Sequence, residues 1–355
     1  MLSSSAEKTA PKSTALSWQG SAPDGEPFQV FTLKNANGME VQIMDWGATW
    51  LSCKVPVNGE LREVLLGCQP EDYLKQSAYL GASIGRYANR IANAEVQYDG
   101  VYYRLKANQD KHQLHGGPEG WDKVRWKCDE FSDNFVRFYH FSPNGDQGFL
   151  GNVAVFALFQ LNDNNSLTVT YVAENGQDTP LNLTNHAYFN LNDGLNGCDV
   201  REHFLQINAE QFLPVDAEGI PNAPLKSVAN SSFDFRHEKA IKTDFLQEEQ
   251  QLTKGYDHAF LLNEEAVKPC AILTAPDRSL RLELRTSQRA LQVYTGNYLA
   301  GTPTRNGGQY ADYSGIALET QALPDTPNHP EWWQYGGMAK AGEGYEHWTN
   351  FKFKS

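Results

Sequence analysis

The sequence predicts an all-β protein, built as one large antiparallel β-sandwich or a related β-fold. Apolar and polar residues alternate with a period of two over most of the chain, and Gly, Asn, Asp or Pro interrupts the alternation about every ten residues. Helical periodicity is confined to residues 71–76 and 243–251. No linker or charge block divides the chain, so we expect one domain over residues 21–355, preceded by a flexible segment over residues 1–20.

Two hairpins are the clearest elements. Asp99 and Gly100 lie between residues 96–98 and 101–103, and this pair supplies the positive φ angles of a type I′ turn. A longer polar loop joins residues 156–161 to residues 167–172 in the second hairpin. Further strands are predicted over residues 28–33, 40–44, 49–55, 135–141, 204–209, 270–274, 280–286, 290–295 and 315–319.

The composition sets limits on partners and location. Hydrophobic residues make up 40% of the 355 residues, which is ample for a large core. Lys and Arg number 30 against 43 Asp and Glu, and the net charge of -13 repels nucleic acid and anionic membranes. The 5 cysteines are scattered without a C-x-x-C pair, and no apolar run suits a signal peptide or a membrane span. We therefore expect a cytoplasmic protein that binds neither nucleic acid nor membrane.

The segment over residues 180–191 is the most informative. As a strand, it would place apolar side chains on one face and hydrogen-bonding groups on the other. An ordinary solvated strand face would look similar, but the density of Asn and Thr beside an aromatic ring favours a site for a hydroxyl-rich ligand. The polar face would consist of Asn182, Thr184, His186, Tyr188 and Asn190.

Glu319 lies at the end of an apolar strand. A desolvated carboxyl group has a raised pKa, which suits a general base that works near neutral pH. Spacing alone does not separate this role from an exposed position in the loop that follows.

Two basic segments are further candidates. Arg86 and Arg90 would either bind ligand oxygens or form surface salt bridges. His115 precedes two glycines, which would allow either close approach of a ligand or a plain turn. His112 and His115 are three residues apart and would lie on opposite faces of an extended chain, so we predict no metal site.

A serine hydrolase is a less favoured alternative. Residues 81–85 satisfy the G-x-S-x-G pattern around Ser83, and Asp257 and His329 follow in the order of a catalytic triad. That motif requires alternating strands and helices, which this sequence lacks.

Five motifs occur in the same order as in a known family. They resemble the signatures of aldose 1-epimerases, also called galactose mutarotases, and the likeness runs from about Asp24 to the C-terminus. They comprise residues 85–93 (GRYANRIAN), 114–117 (LHGG) with 120–123 (GWDK), 182–191 (NLTNHAYFNL), 255–258 (GYDH) and 318–320 (LET). Near the C-terminus the family usually has Pro-Gly-Glu-x-Tyr, whereas residues 341–345 read AGEGY.

The resemblance implies a β-sandwich of the galactose mutarotase type that interconverts the α and β anomers of a small-molecule aldose, without cofactor or metal. We expect a monomer or homodimer. The resemblance also implies that His186 is the general acid and Glu319 the general base. Trp121 or Tyr188 would offer an apolar face to the sugar. The residues that would hold the sugar are Asn89, Arg90, His115, Tyr188, Asp257 and Gln292.

Two alternatives within carbohydrate recognition stay open. A non-catalytic sugar-binding protein could use the same polar face without needing Glu319. A glycosidase or lyase on a related sandwich would need two carboxylates that flank a glycosidic bond.

Overall fold

The computed structural model describes residues 16–264 and 268–355. Within these ranges the regular structure is β-strand, together with short 3-10 turns. Strands pair antiparallel in three larger sheets and four two-stranded ribbons. An all-β antiparallel fold is therefore confirmed.

Strand order follows the chain in one of the three larger sheets and departs from it in the other two. Across the five-stranded sheet the strands are Leu16–Ser21, Pro27–Lys34, Glu40–Met44, Thr49–Val57 and Glu60–Glu63. Across the nine-stranded sheet they are Lys127–Phe131, Phe135–Ser142, Val153–Asn162, Ser166–Asn175, Tyr345–Lys354, Arg281–Thr286, Ala271–Thr274, Phe204–Ile207 and Lys239–Ala240. Across the six-stranded sheet they are Tyr188–Phe189, Ile316–Gln321, Ala290–Tyr294, Asp257–Leu262, Ala209–Phe212 and Lys226–Ser227.

Short elements connect the sheets. The ribbons pair Gln113–Leu114 with Arg90–Ile91, Thr179–Pro180 with Met338–Ala339, Thr184–Asn185 with Ser83–Ile84, and Glu95–Tyr98 with Val101–Arg104. The 3-10 turns are Pro70–Leu74, Ala92–Ala94, Trp121–Lys123, Asp146–Gly148, Val200–Glu202, Ile241–Asp244, Glu248–Gln251, Thr326–Asn328 and Pro330–Tyr335.

Both hairpins form as predicted. Asp99 has φ 47° and Gly100 has φ 76°, as a type I′ turn requires. The second hairpin pairs Val153–Asn162 with Ser166–Asn175 in continuous register. The strand predicted over residues 204–209 is two strands in different sheets, which separate at Asn208.

Both predicted helices were wrong. Residues 71–76 correspond to the 3-10 turn Pro70–Leu74. Residues 243–251 are divided between two 3-10 turns, because Leu246 and Glu248 have φ angles of 60° and 52° that no α-helix accepts. None of the helical segments in the described ranges is long and apolar enough to cross a lipid bilayer.

The core unites the sheets. One buried cluster includes Trp50 from the five-stranded sheet, Phe351 from the nine-stranded sheet and Phe189 from the six-stranded sheet. The rings of these three residues contact one another, with centroids 5.2–5.8 Å apart.

Residues 1–15 of the predicted N-terminal segment lie outside the described residues, and residues 16–20 belong to the strand Leu16–Ser21.

Candidate active site

The predicted site residues converge on one cavity of about 280 Å³. Seven of the eight predicted residues line it, namely His186, Glu319, Asn89, Arg90, His115, Tyr188 and Asp257. A larger cavity of about 470 Å³ lies elsewhere, but two of its charged lining residues, Glu210 and Arg236, already pair with each other.

His186 and Glu319 form a close pair inside this cavity. Nε2 of His186 lies 3.6 Å from Oε1 of Glu319, and both side chains are almost completely buried. The backbone of His186 is held by hydrogen bonds with Gly81 and Ala82. Glu319 lies in Ile316–Gln321, which pairs with a strand on each side. The two groups lie side by side on adjoining elements.

Burial dominates the protonation of this pair. Burial raises the pKa of Glu319 well above its usual value, Asp257 raises it further and Arg90 opposes the rise. Burial lowers the pKa of His186 to about 4. The protein alone thus favours a neutral imidazole beside a protonated carboxyl group, not the imidazolium that general acid catalysis first suggests. In that state the pair holds one transferable proton, on the carboxyl group.

Asn89 and His115 hold each other in place. The Asn89 backbone N–H donates to Nδ1 of His115 at 3.1 Å, and the His115 backbone N–H donates to the Asn89 carbonyl at 3.0 Å. Both residues have positive φ angles, 65° and 50°. Because Nδ1 accepts this bond, the neutral ring of His115 keeps its proton on Nε2, so the ring offers a donor to a ligand.

Gly116 serves packing and not ligand approach. It has φ 85°, and a Cβ at this position would lie 1.9 Å from the carbonyl oxygen of Gly85. Residues 115–117 therefore cross directly over the segment that leads to Arg90. This crossing places His115 beside Asn89.

A chain of polar contacts orients Arg90 and Asp257. Gln109 accepts a hydrogen bond from Nε of Arg90 at 2.7 Å. Nη1 of Arg90 lies 3.7 Å from Asp257, which accepts a 2.6 Å hydrogen bond from Gln292. Gln292 does not line the cavity. It lies behind Asp257 and pairs in register with Glu319. Gln292 therefore acts on the cavity indirectly, through its hydrogen bond to Asp257.

Three potential metal ligands lie close together. His115, His186 and Glu319 each offer one ligand atom, and these atoms all lie within 4.8 Å of one another. Ligation through Nε2 of His115 would require its proton to move to Nδ1, where the Asn89 N–H already donates. The hydrogen bond from Asn89 therefore disfavours metal ligation through His115.

Several candidates from the sequence lie outside the cavity. The Arg86 side chain is buried and donates to Ser142, Pro143 and Leu150. Trp121 packs against Gly85 and is buried away from the cavity, so Tyr188 is the one of the two proposed platforms that lines it.

Residues 180–191 do not form one strand. They contribute to three short strands in different sheets, and every side chain from residue 179 to residue 191 is buried. The amide groups of Asn182 and Asn190 bond to backbone, and of the predicted polar face only His186 and Tyr188 line the cavity.

The hydrolase triad does not assemble. Ser83 Oγ is buried, donates to the Ala48 carbonyl at 2.9 Å and contacts the Tyr171 hydroxyl at 2.8 Å. His329 contacts Asp325 and Glu331 instead. The hydrogen bonds of Ser83 therefore indicate a structural role and not that of a nucleophile.

The structure adds residues that sequence reasoning missed. The Tyr79 ring lies 4.6 Å from the His115 ring and 5.8 Å from the His186 ring, measured between centroids. Tyr294 and the 67% exposed Tyr298 line the cavity as well. Gln109 sits in a tight turn that closes between Gln109 and His112. The polar sequence of that turn predicts a turn, but nothing in it indicates contact with Arg90.

The fold and the site define the class: an all-β protein with a buried histidine–carboxyl pair in a polar cavity. A model of the aldose 1-epimerase family matches residues 29–352. The chain belongs to this family, as the resemblance implied, and it is an isomerase.

Named relatives agree with the family. The chain is 63% identical over 333 residues to the aldose 1-epimerase of Haemophilus influenzae, covering 94% of this chain and 98% of the relative. It is 38% identical over 342 residues to the galactose mutarotase of Homo sapiens, covering 94% and 96%. A solved structure of galactose 1-epimerase from Lactobacillus acidophilus superposes with a TM-score of 0.82 at 30% identity, covering 97% of this chain and 98% of that one.

Proposed function

We propose that this protein interconverts the α and β anomers of free aldoses such as galactose and glucose, with His186 as general acid and Glu319 as general base. The observation that carries the proposal is the 3.6 Å separation between Nε2 of His186 and Oε1 of Glu319 inside a polar cavity. The ring oxygen and the anomeric hydroxyl of a pyranose are bonded to the same carbon. Two adjacent proton-transfer groups can therefore reach both oxygens at once.

The reaction needs one proton on the pair. When that proton is on His186, Glu319 is a carboxylate that takes the proton of the anomeric hydroxyl while His186 protonates the ring oxygen. The C1–ring oxygen bond breaks, and an open-chain aldehyde forms. Rotation about C1–C2 and the reverse transfers close the ring on the other face, returning each proton to its starting group.

Burial supports this exchange. Moving the proton between Glu319 and His186 interconverts a neutral pair and an ion pair without exchange with water. Since burial disfavours both charged groups, substrate hydroxyls that hydrogen-bond to them would stabilise the ion pair within the cavity. His115, a donor through Nε2, would stabilise negative charge on a sugar oxygen.

The remaining groups would bind the sugar. Arg90 and Asp257 offer charge-assisted hydrogen bonds to hydroxyls, and Asn89 lies beside them. Tyr188 offers an aromatic face to the C–H side of the ring. Gln292 would act through Asp257.

Other carbohydrate functions are less well supported. A glycosidase needs two carboxyl groups that act on one glycosidic bond. Asp257 is the second carboxylate of the cavity, but its hydrogen bond from Gln292 and its proximity to Arg90 favour a binding role. A non-catalytic sugar-binding protein would not need the buried Glu319.

Polarimetry tests the proposal. Freshly dissolved α-D-galactose or α-D-glucose should reach its equilibrium rotation faster with the protein than without it, and no new product should form. Release of free sugar from a glycoside would support a glycosidase instead, and sugar binding without faster rotation would contradict catalysis.

The remaining proposals concern the cellular location, the oligomeric state and the partners of the protein. We propose a cytoplasmic enzyme that acts as a monomer or homodimer, and the net charge of -13 supports the absence of nucleic-acid and membrane partners. Sedimentation equilibrium of the purified chain distinguishes the two oligomeric states.

A further inference from the structure

A second cavity adjoins the candidate active site at Tyr79. It encloses about 280 Å³, the same volume as the active-site cavity, and Ser77 and Tyr79 line both. The Tyr79 ring contacts His115 in the active site, while Nζ of Lys123 lies 5.6 Å from its centroid in the second cavity. The second cavity therefore has room for a ligand of the same size.

The lining combines aromatic rings with polar groups. Trp46 and Tyr79 supply aromatic surface, which packs against the C–H faces of sugar rings. Asp122 accepts hydrogen bonds and Lys123 donates them, whereas the amide of Gln76 is already bonded to neighbouring backbone groups. A sugar hydroxyl is both donor and acceptor, so it suits this mixed set.

Asp122 is the unusual group of this lining. Its side chain is only 7% exposed, and its Oδ1 has no hydrogen-bond partner among the described residues. Its other oxygen lies 3.7 Å from Nζ of Lys123. Burial raises the pKa of Asp122 to about 6. Oδ1 is itself inaccessible, so a ligand in the cavity would bond to Oδ2, which lies opposite the Lys123 ammonium group.

We propose that this cavity is a second binding site for a neutral saccharide ring, with Trp46, Asp122 and Lys123 as its principal contacts. One carboxyl group opposite one ammonium group leaves no net charge to select an anion. Two sources share this chemistry: a free aldose that binds independently, and the distal ring of a reducing disaccharide whose other ring occupies the active site. The proposal does not depend on the catalytic roles of His186 and Glu319.

Amide NMR titration of the full chain tests the site. The probes are D-galactose and lactose, and the reporters are the amide signals of residues 73–76 and 122–123, which line only the second cavity or adjoin its lining. Asp122→Asn and Trp46→Leu perturb the second cavity, and Arg90→Ala perturbs the active site. The matched control is Asp129→Asn, because Asp129 lies on an exposed strand and pairs with Arg137. If Trp46→Leu does not fold, Asp122→Asn still decides the result.

Independent binding predicts that the D-galactose concentration at half-saturation of these signals rises at least fivefold in Asp122→Asn and is unchanged in Arg90→Ala. The disaccharide source predicts that Asp122→Asn and Arg90→Ala both weaken lactose binding at least fivefold. The site is overturned if Asp122→Asn changes neither titration, or if the signals do not shift with either probe. Polarimetry on the same samples keeps this outcome separate from that of the proposed function.

Discussion

Nε2 of His186 lies 3.6 Å from Oε1 of Glu319, and this contact joins two segments that are remote in sequence. Nδ1 of His186 and Oε2 of Glu319 have no hydrogen-bond partner among the described residues. The proposed mechanism assigns proton exchange with the substrate to this pair. Single substitutions can separate the role of this pair from the roles of its neighbours.

Glu319→Gln should lower kcat by ~10²-fold or more with little change in KM, because it removes the proton acceptor while keeping the shape of the side chain. Initial rates of mutarotation, measured by polarimetry over a range of sugar concentrations, give both constants. Near-wild-type kcat would show that Glu319 is not the base.

Arg90→Lys should raise KM by about tenfold and change kcat less, since lysine cannot keep the Nε contact to Gln109 while facing Asp257. The same assay measures the effect. Gln109→Ala should raise KM in the same direction. A fall in kcat with KM unchanged would place Arg90 in the proton-transfer step.

Ser83→Ala and His186→Asn should behave oppositely. Among the described residues the Ser83 hydroxyl hydrogen-bonds to Ala48 and Tyr171, so its loss should leave mutarotation near the wild-type rate and cost about 1 kcal/mol of stability. His186→Asn should bind sugar but lose ~10²-fold or more in rate. An inactive, folded Ser83→Ala beside an active His186→Asn would contradict the proposed mechanism.

The free energy of unfolding should fall as the pH is lowered from about 6.5 toward 4. Burial lowers the pKa of six histidines, so the unfolded chain binds protons in this window while the folded chain does not. They are His115, His140, His186, His203, His258 and His347.

Urea unfolding at several pH values measures this dependence. His347→Asn should reduce the slope by at most ~1.4 kcal/mol per pH unit, the contribution of one proton. The matched control is His237→Asn, at an exposed position. An unfolding free energy that stays constant across the window would contradict the prediction.

Much of the fold could be predicted because its signals are local. Alternation identified most of the long strands, and Asp99-Gly100 identified a hairpin through its turn chemistry. The segment that carries His186 was misread as one strand, because alternation describes a strand with two distinct faces and this segment is buried on all sides.

The site was predicted mainly from the ordered sequence motifs. The site residues that the sequence did not reveal lie outside these motifs. Tyr79 and Gln109 reach the cavity through loop paths that only the assembled sheets determine. Arg86 and Arg90 look equivalent in sequence. The Arg86 guanidinium, however, donates to backbone carbonyls, whereas Arg90 lines the cavity. Local pattern cannot separate the two, because their difference lies in the neighbours that surround each.

The cavity is assembled from separate sheets, and this has a consequence for refolding. Glu319 comes from the six-stranded sheet, Arg90 from a two-stranded ribbon, and His186 from the link between two short strands. Among the described residues no single sheet contains His186, Glu319 and Arg90 together, so a chain that has regained most of its strands should still be inactive. Contacts between distant segments form slowly. Catalysis should therefore return after the circular dichroism signal of the strands. Recovered activity would then report that the sheets have docked completely against one another.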